Sequence, residues 1–348
     1  MFHIKTDLIF RLFGGVCVLV AIDAASSALA KDGGAAAQQP SLGLPAQCEP
    51  GRTCWLVNLV DHDPGPGMRD YACGPHGYNG HTGVDIAIRD YSIMEDGVPV
   101  VAAAAGTVVR LRDGMLDGDV SLAGREAVAG RGCGNSVAIS HGDGWETFYC
   151  HLRRGSLTVR RGQRVEKGDK LGSVGSSGLA EFPHIHLGVR KAGKVVDPFV
   201  GLSRNANCGL GPSPLWNGRA LRALKGIPTA LYDAGFASGE VNPIALRRGF
   251  YRETRLSEKA PALVFWVDGF WLYDGDKLSI TVTGPRGREV ASKSFTQKKT
   301  QARVMRFVGK RKTVDWYPGI YRGVAELIRT NKDGATDTFR IERSVEIK

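Results

Sequence analysis

Short apolar segments that alternate with Gly-rich turns dominate positions 48–198 and limit the fold more than any other feature of the chain. Gly-rich turns separate these segments, for example at 98–104, 107–111, 136–140 and 147–152. β-Branched residues are frequent and helical periodicity is scarce, which predicts a β-rich domain over residues 47–204. A Gly- and Asp-rich insertion at 112–132 interrupts the strands and is predicted to be a surface loop.

A second series of short strands, separated by Asp-Gly turns, begins near residue 246. The segments are 262–267, 277–283, 302–308, 319–328 and 336–347. This spacing is typical of a β-sandwich, and we expect one of the immunoglobulin or fibronectin type over 246–348. The intervening 205–245 is interpreted as a linker with one short helix at 219–225. A length of 348 residues fits two such domains.

The N-terminus has the three parts of a secretory signal peptide over residues 1–30. Lys5 and Arg11 precede an apolar run at 12–22, and a small-x-small cleavage site ends at Ala30. The alternative, a membrane anchor, is disfavoured because the run is shorter than the roughly 20 residues that span a bilayer. We expect a flexible leader at 31–46, no transmembrane segment after cleavage, and a protein that is periplasmic or secreted.

Six cysteines follow the signal peptide, and an even number in an oxidising compartment predicts disulfides. Six cysteines allow 15 pairings, so the spacing alone does not settle them. Cys133 and Cys150 flank a predicted hairpin at similar distances from its turn and are expected to face each other. Cys48 with Cys54 would close a small local loop, which leaves Cys73 with Cys208. No CxxC supports the rival interpretation, a cysteine metal site.

The net charge of +11 is concentrated near the C-terminus, where residues 247–348 hold 22 Lys and Arg against 12 Asp and Glu. A basic surface suits polyanions. Because export disfavours nucleic acid, the expected partners are anionic polymers of the wall or envelope. A basic surface that serves only solubility is the alternative.

Histidines and one aspartate occur in phase on three predicted strands. His81 and Asp85 lie four residues apart in a segment whose Val84, Ile86 and Ile88 would point into the core. In a strand such positions share a face. His184 and His186 likewise alternate with the apolar residues at 185, 187 and 189.

In the third strand the alternation predicts that Phe148, Cys150 and Leu152 pack inward. His151 would then join Thr147 and Tyr149 on the polar face. If the three strands are neighbours, their sheet carries a groove lined with metal ligands. Two His nitrogens and a carboxylate oxygen are a standard ligand set for catalytic zinc, with water in the fourth place.

A lone histidine on a strand is usually a hydrogen-bonded or surface residue. His62, His76 and His141 are interpreted in this way, because His141 lies in a turn and the other two lie in a poorly patterned run. The remaining four histidines are different, since they share patterned strands with out-of-phase apolar neighbours. Two imidazoles beside the three ligands could take a proton from water and stabilise an oxyanion.

The segments 81–85, 148–152 and 183–186 make the chain resemble the lysostaphin-type (LytM-type) zinc metallopeptidases over roughly 80–198. The resemblance implies an antiparallel β domain with an open groove and one Zn2+ per chain, bound by His81, Asp85 and His186. It implies His151 and His184 as catalytic histidines, and peptide bonds in the stem or cross-bridge of peptidoglycan as the substrate. Phe182 and the pair Leu187-Gly188 depart from the family pattern and affect the expected substrate preference.

Two other functions are compatible with these residues. Relatives that lose the metal ligands serve as wall-binding modules or as activators of other cell-wall hydrolases, without catalysis. A periplasmic zinc carrier is the second alternative. All five polar residues are present here, and two extra histidines have no purpose in a carrier. The sequence therefore favours a catalytic zinc endopeptidase.

Overall fold

A computed structural model describes residues 39–203, 208–226, 228–331 and 333–348. The predicted signal peptide lies outside the described residues. The strands are β1 Cys54–Asn58, β2 Gly83–Ile88, β3 Pro99–Val101, β4 Gly106–Arg112, β5 Asn135–Gly142, β6 Trp145–Leu152, β7 Arg164–Val165, β8 Lys170–Ser173, β9 His184–Lys191, β10 Lys194–Val195, β11 Ala230–Ala237, β12 Arg255–Leu256, β13 Ala262–Leu272, β14 Lys277–Thr283, β15 Glu289–Thr296, β16 Gln301–Arg311, β17 Gly319–Thr330 and β18 Thr336–Ile347. The helices are α1 Tyr91–Asp96, α2 Val120–Ala123, α3 Gly218–Leu224 and α4 Pro243–Arg247, with 3-10 turns at Arg125–Val128 and Pro285–Gly287.

Strands β1 to β10 form the N-terminal β unit. Its main sheet is antiparallel, with strand order β1-β2-β9-β6-β5-β4-β7, and β10 pairs with β9; β3 and β8 form a separate pair. One face of the main sheet packs on an apolar core to which alternate residues of β2 and β9 contribute. Because strand residues alternate between faces, the other face is left for polar side chains. The prediction of a mainly β, antiparallel fold is confirmed.

Strands β11 to β18 form the C-terminal β unit, which has two sheets. One sheet has the order β11-β13-β16 and the other β12-β18-β17-β14-β15, and side chains from both share one buried core. Every pairing in these sheets is antiparallel except that of β12 with β18. The two-sheet core agrees with a sandwich, whereas the immunoglobulin or fibronectin type stays a prediction.

The expected boundaries differ from the structure in two places. Residues 39–46 of the predicted flexible leader are packed, because Leu42 is fully buried and its amide donates to the carbonyl of Leu215 at 2.7 Å. The predicted linker, 205–245, contains α3, β11 and the start of α4. Since β11 pairs with β13 along seven register positions, the C-terminal β unit begins before residue 246. The remaining domain boundaries stay a prediction.

All three argued disulfides are present: Cys48–Cys54, Cys73–Cys208 and Cys133–Cys150. The 112–132 insertion is less irregular than expected and contains α2 and a 3-10 turn. Among the described residues, no helix has both the length and the apolar character needed to cross a membrane.

Candidate metal centre

The pairing of β2 with β9 sets Asp85 directly opposite His186. Asp85 Oδ1 lies 2.8 Å from His186 Nδ1, and His81 Nε2 lies 3.1 Å from each of these two atoms. Tetrahedral zinc with bonds of about 2.0–2.1 Å separates its ligand atoms by roughly 3.3 Å. The three donor atoms therefore fit the base of a zinc tetrahedron with little movement.

His81 reaches this triangle from the loop before β2, although the sequence predicted a strand position for it. Its ring is fixed because Nδ1 donates to the carbonyl of Leu59 at 2.7 Å, which leaves Nε2 for the metal. The side-chain amide of Asn58 donates from Nδ2 to Asp85 Oδ2 at 2.8 Å and fixes the orientation of the carboxylate. Such partners behind the ligands orient them and raise metal affinity.

Gly83 makes room for the ring of His186. A Cβ built at Gly83 would lie 2.5 Å from His186 Nε2 and 2.7 Å from the carbonyl oxygen of Leu187. Both distances are shorter than any ordinary contact, so a larger residue would displace the imidazole. Gly83 is a site residue to which the sequence analysis assigned no role.

His184 follows the predicted alternation, whereas His151 does not. In β6 the side chain of Tyr149 enters the core and that of Phe148 lines the groove, opposite to the prediction. His151 nevertheless reaches the groove because its backbone is left-handed (φ 64°), which interrupts the alternation. The rings of His151 and His184 are 4.6 Å apart between centroids.

Both rings are held in one tautomer by backbone carbonyls. Nδ1 of His151 lies 2.7 Å from the carbonyl of Ser177, and Nδ1 of His184 lies 2.8 Å from the carbonyl of Phe182. A carbonyl oxygen only accepts, so Nδ1 carries the proton in each ring. The Nε2 atom of each neutral ring is then a proton acceptor.

The electrostatics favour neutral rings beside an ionised carboxylate. Burial lowers the pKa of His151 well below its usual range, and the neighbouring His184 and His186 act in the same direction. Burial also lowers the pKa of His184, against the attraction of Asp85. For Asp85 burial favours the neutral acid, but the attraction of His81 and the hydrogen bonds from His186 and His81 hold its pKa well below the usual value.

Two cavities flank the five residues and share Tyr78 and Leu179 as lining residues. The larger, here called the open groove, has a volume of about 1110 Å³ and reaches His151 and His186. The smaller, here called the closed pocket, has about 270 Å³ and reaches Asp85 and His184. The C-terminal β unit supplies part of its wall.

Two residues that depart from the family pattern, Phe182 and Gly188, line these cavities. Phe182 lines the closed pocket, where its ring lies 4.9 Å from His184 and 5.7 Å from Phe270 of β13. Gly188 lines the open groove. The 112–132 insertion contributes lining to both cavities.

The other three histidines of the described chain make hydrogen bonds away from the triangle, as expected. His62 Nε2 lies 2.6 Å from Asp197, and His141 contacts the carbonyl of Ala105 and the hydroxyl of Thr147. His76 pairs with Asp70 at 2.5 Å and with Tyr273 of the C-terminal β unit.

Residues 79–198 match Peptidase family M23, and the chain therefore contains an M23 peptidase domain. The chain is 34% identical over 123 residues to the DD-carboxypeptidase/endopeptidase Mpg of Neisseria meningitidis. The aligned region covers 35% of this chain and 23% of that relative. Over 117 residues it is 30% identical to the peptidoglycan DD-endopeptidase ShyA of Vibrio cholerae, covering 34% and 22%.

Among solved structures, the chain is similar to the catalytic domain of the prophage-encoded M23 protein EnpA from Enterococcus faecalis. The identity is 23% and the TM-score 0.30, covering 46% of this chain and 93% of that one. The chain spans between 15% and 33% of the length of the first curated relatives it matches.

Proposed function

We propose that this protein is a zinc metalloendopeptidase that hydrolyses peptide bonds in the stem or cross-bridge of peptidoglycan. The observation that carries the proposal is the triangle of donor atoms from His81, Asp85 and His186, with two neutral histidines beside it. A purely structural cluster has no need of two further imidazoles whose Nε2 atoms are kept as acceptors.

When bound, zinc lowers the pKa of a water molecule to about 7 and polarises the scissile carbonyl. The protein's own part is proton transfer. His151 and His184 offer a basic Nε2 because their Nδ1 protons are committed to backbone carbonyls. One ring accepts the proton of the attacking water, and a protonated Nε2 then donates a hydrogen bond to the developing oxyanion.

Peptidoglycan as the substrate is supported by the family match and by relatives whose names describe peptidoglycan and DD-peptide cleavage. We propose export to the periplasm or the medium on the same basis, together with the N-terminal pattern of the sequence. The binding of an anionic wall or envelope polymer by the basic C-terminal β unit stays a prediction.

The proposal is tested by digesting purified sacculi with the zinc-loaded protein and identifying released peptides by mass spectrometry. We expect chelator-sensitive cleavage that His184→Ala abolishes, because this change removes one of the two acceptors. His141→Ala is the matched control, since His141 lies in the same sheet but outside the site, and should retain activity. Folded, zinc-loaded protein that releases no peptide from sacculi would contradict the proposal and favour a non-catalytic binding module.

A further inference from the structure

The face of the main sheet that carries Asp85 and His186 is divided into a covered half and an open half. Over β1 and β2 the C-terminal β unit packs on this face through an aromatic cluster that includes Trp55, Tyr232 and Phe270. Trp55 and Tyr232 rings are 5.4 Å apart, and Trp271 Nε1 donates to the carbonyl of Val57 at 2.6 Å. A chain-like substrate therefore has to lie mainly over the other half, on β9, β6, β5 and β4.

The open half is lined by arginines. Among the residues that the structure describes, no aspartate or glutamate lines the open groove, and five arginines border it: Arg110, Arg112, Arg160, Arg161 and Arg190. The five arginines come from β4, β9 and the turn before β7. All five residues are exposed.

The register explains how these arginines share a face with the metal ligands. Across the strands, Arg110 pairs with Ala138, Ala138 with Phe148, and Phe148 with Gly188. Gly188 is two residues from His186 in β9, so this row lies on the ligand side of the sheet. Ala138 and Gly188 are small and leave space above the sheet, and the arginines lie at the edge of this space.

Little negative charge in the protein neutralises this group. Arg110 pairs with Glu146 at 3.0 Å. Within the described part of the chain, no carboxylate lies within ion-pair distance of Arg160, Arg161 or Arg190. Like charges gathered without partners cost free energy, so their arrangement points to an anionic ligand.

Phe148 positions two of the guanidinium groups. Arg190 and Arg110 lie 5.0 Å and 5.4 Å from the centroid of its ring, on the groove side of the sheet. Stacking on an aromatic ring leaves the planar N–H fork of arginine available for a carboxylate. Carboxylates are the anionic groups that a peptide substrate carries.

We propose that the open groove selects acidic peptides, and that Arg160, Arg161 and Arg190 bind free carboxylates of the substrate. This inference rests on the proposed function and names the substrate class of the same site. Arg190 is four residues from His186 along β9, or roughly 13 Å at 3.3 Å per residue. Because the Arg190 side chain can extend toward the metal site, we expect the substrate carboxylate that it binds to lie about two to four residues from the bond that is cut.

The test compares two synthetic peptides of one sequence, one with free carboxyl groups and the other with these groups as carboxamides. For the wild-type protein we expect KM to be about tenfold lower for the acidic peptide, with similar kcat, since exposed charge pairs each contribute a factor of about two to five. The preference should shrink as NaCl is raised from about 0.05 to 0.5 M, because salt screens exposed charges.

Two groove variants and a charge-matched control locate the effect. For the acidic peptide, Arg160→Gln/Arg161→Gln should lower kcat/KM about three- to tenfold and Arg190→Gln about two- to fivefold. For the amidated peptide each variant should lower kcat/KM less than about twofold. The control Lys298→Gln/Lys299→Gln removes the same charge as the double variant from exposed residues of the C-terminal β unit. This control should leave kcat/KM unchanged for both peptides. Equal losses for the two peptides, or no wild-type preference, would overturn the inference.

Failure of catalysis is separated from failure of the inference by measuring binding. If the zinc-loaded protein cleaves neither peptide, the proposed function fails. The same peptide pair is then titrated onto the protein, and tighter binding of the acidic member, weakened by the groove variants, still supports the groove assignment. Equal affinities for the acidic and amidated peptides would refute it.

Discussion

Replacing Gly83 with alanine should disable the metal site and displace the adjoining β9 backbone, because the new Cβ would also lie 2.7 Å from the carbonyl oxygen of Leu187. The new Cβ would lie 2.5 Å from His186 Nε2 and 2.6 Å from its Cε1. An ordinary carbon contact is about 3.5 Å or longer, so the imidazole has to shift by roughly 1 Å. The backbone at Gly83 is outside the left-handed region, so the effect is steric and not conformational.

The size of the effect follows from the ligand geometry. His186 Nδ1 is 2.8 Å from Asp85 Oδ1, and a 1 Å shift exceeds the tolerance of a zinc–nitrogen bond, about 0.2 Å. Loss of ligand orientation typically weakens metal affinity 10- to 100-fold, or about 1.4–2.8 kcal/mol. We expect at least this loss for Gly83→Ala.

The assay is zinc affinity by competition with a chromophoric chelator. Gly188→Ala is the matched control, since Gly188 is the register partner of Gly83. A Cβ at Gly188 would lie 3.6 Å from Phe148 and 3.7 Å from His186 Nε2, which are ordinary contacts. Thermal unfolding of the metal-free proteins checks that both variants fold. Wild-type zinc affinity in Gly83→Ala would refute the steric argument.

Three further predictions concern stability. Burial raises the pKa of Asp233 to about 6, so between about pH 4 and 6 the folded state keeps a proton that the unfolded state releases, and the free energy of unfolding falls as pH rises through this range. Asp233→Asn should therefore raise the free energy of unfolding by at most about 3 kcal/mol at pH 7 and leave it unchanged below about pH 4. Urea unfolding at a series of pH values measures both. Trp271→Ala removes a buried ring and its hydrogen bond to Val57, and should cost about 3–5 kcal/mol in the same assay; a loss under about 1 kcal/mol would contradict the packing described. Cys73→Ser/Cys208→Ser opens a covalent loop of 135 residues and should cost about 4–5 kcal/mol at neutral pH. A loss under about 1 kcal/mol would contradict this prediction.

The alternation of β9 was predictable from the sequence because it is a local property of a strand. His184 and His186 share a face of β9, and Ile185 and Leu187 are fully buried on the other, as predicted. The alternation failed at β6, where the left-handed residue His151 changes the side on which the chain presents its side chains. No pattern of apolar residues reveals a positive φ at a histidine.

The features of the fold that the sequence did not predict depend on contacts between residues far apart in the chain. Strand β11 lies in the segment predicted to be a linker; Asp233 and Gly235 interrupt its apolar run, and its pairing with β13 stabilises it. The covering of β1 and β2 by the C-terminal β unit joins residues about 200 positions apart, such as Val57 and Trp271. Gly83 gives no local signal either, because its role is defined by the ring of His186 across the sheet.

The most direct test of the account is zinc-dependent restoration of activity. The protein is stripped of metal with a chelator, one equivalent of Zn2+ is returned, and the peptide bonds broken in purified sacculi are counted and mapped by mass spectrometry. The account predicts that cleavage recovers in proportion to zinc up to one ion per chain, and that His81→Ala neither retains zinc nor recovers. Cleavage that survives complete metal removal, or full zinc binding with no cleavage, would contradict it.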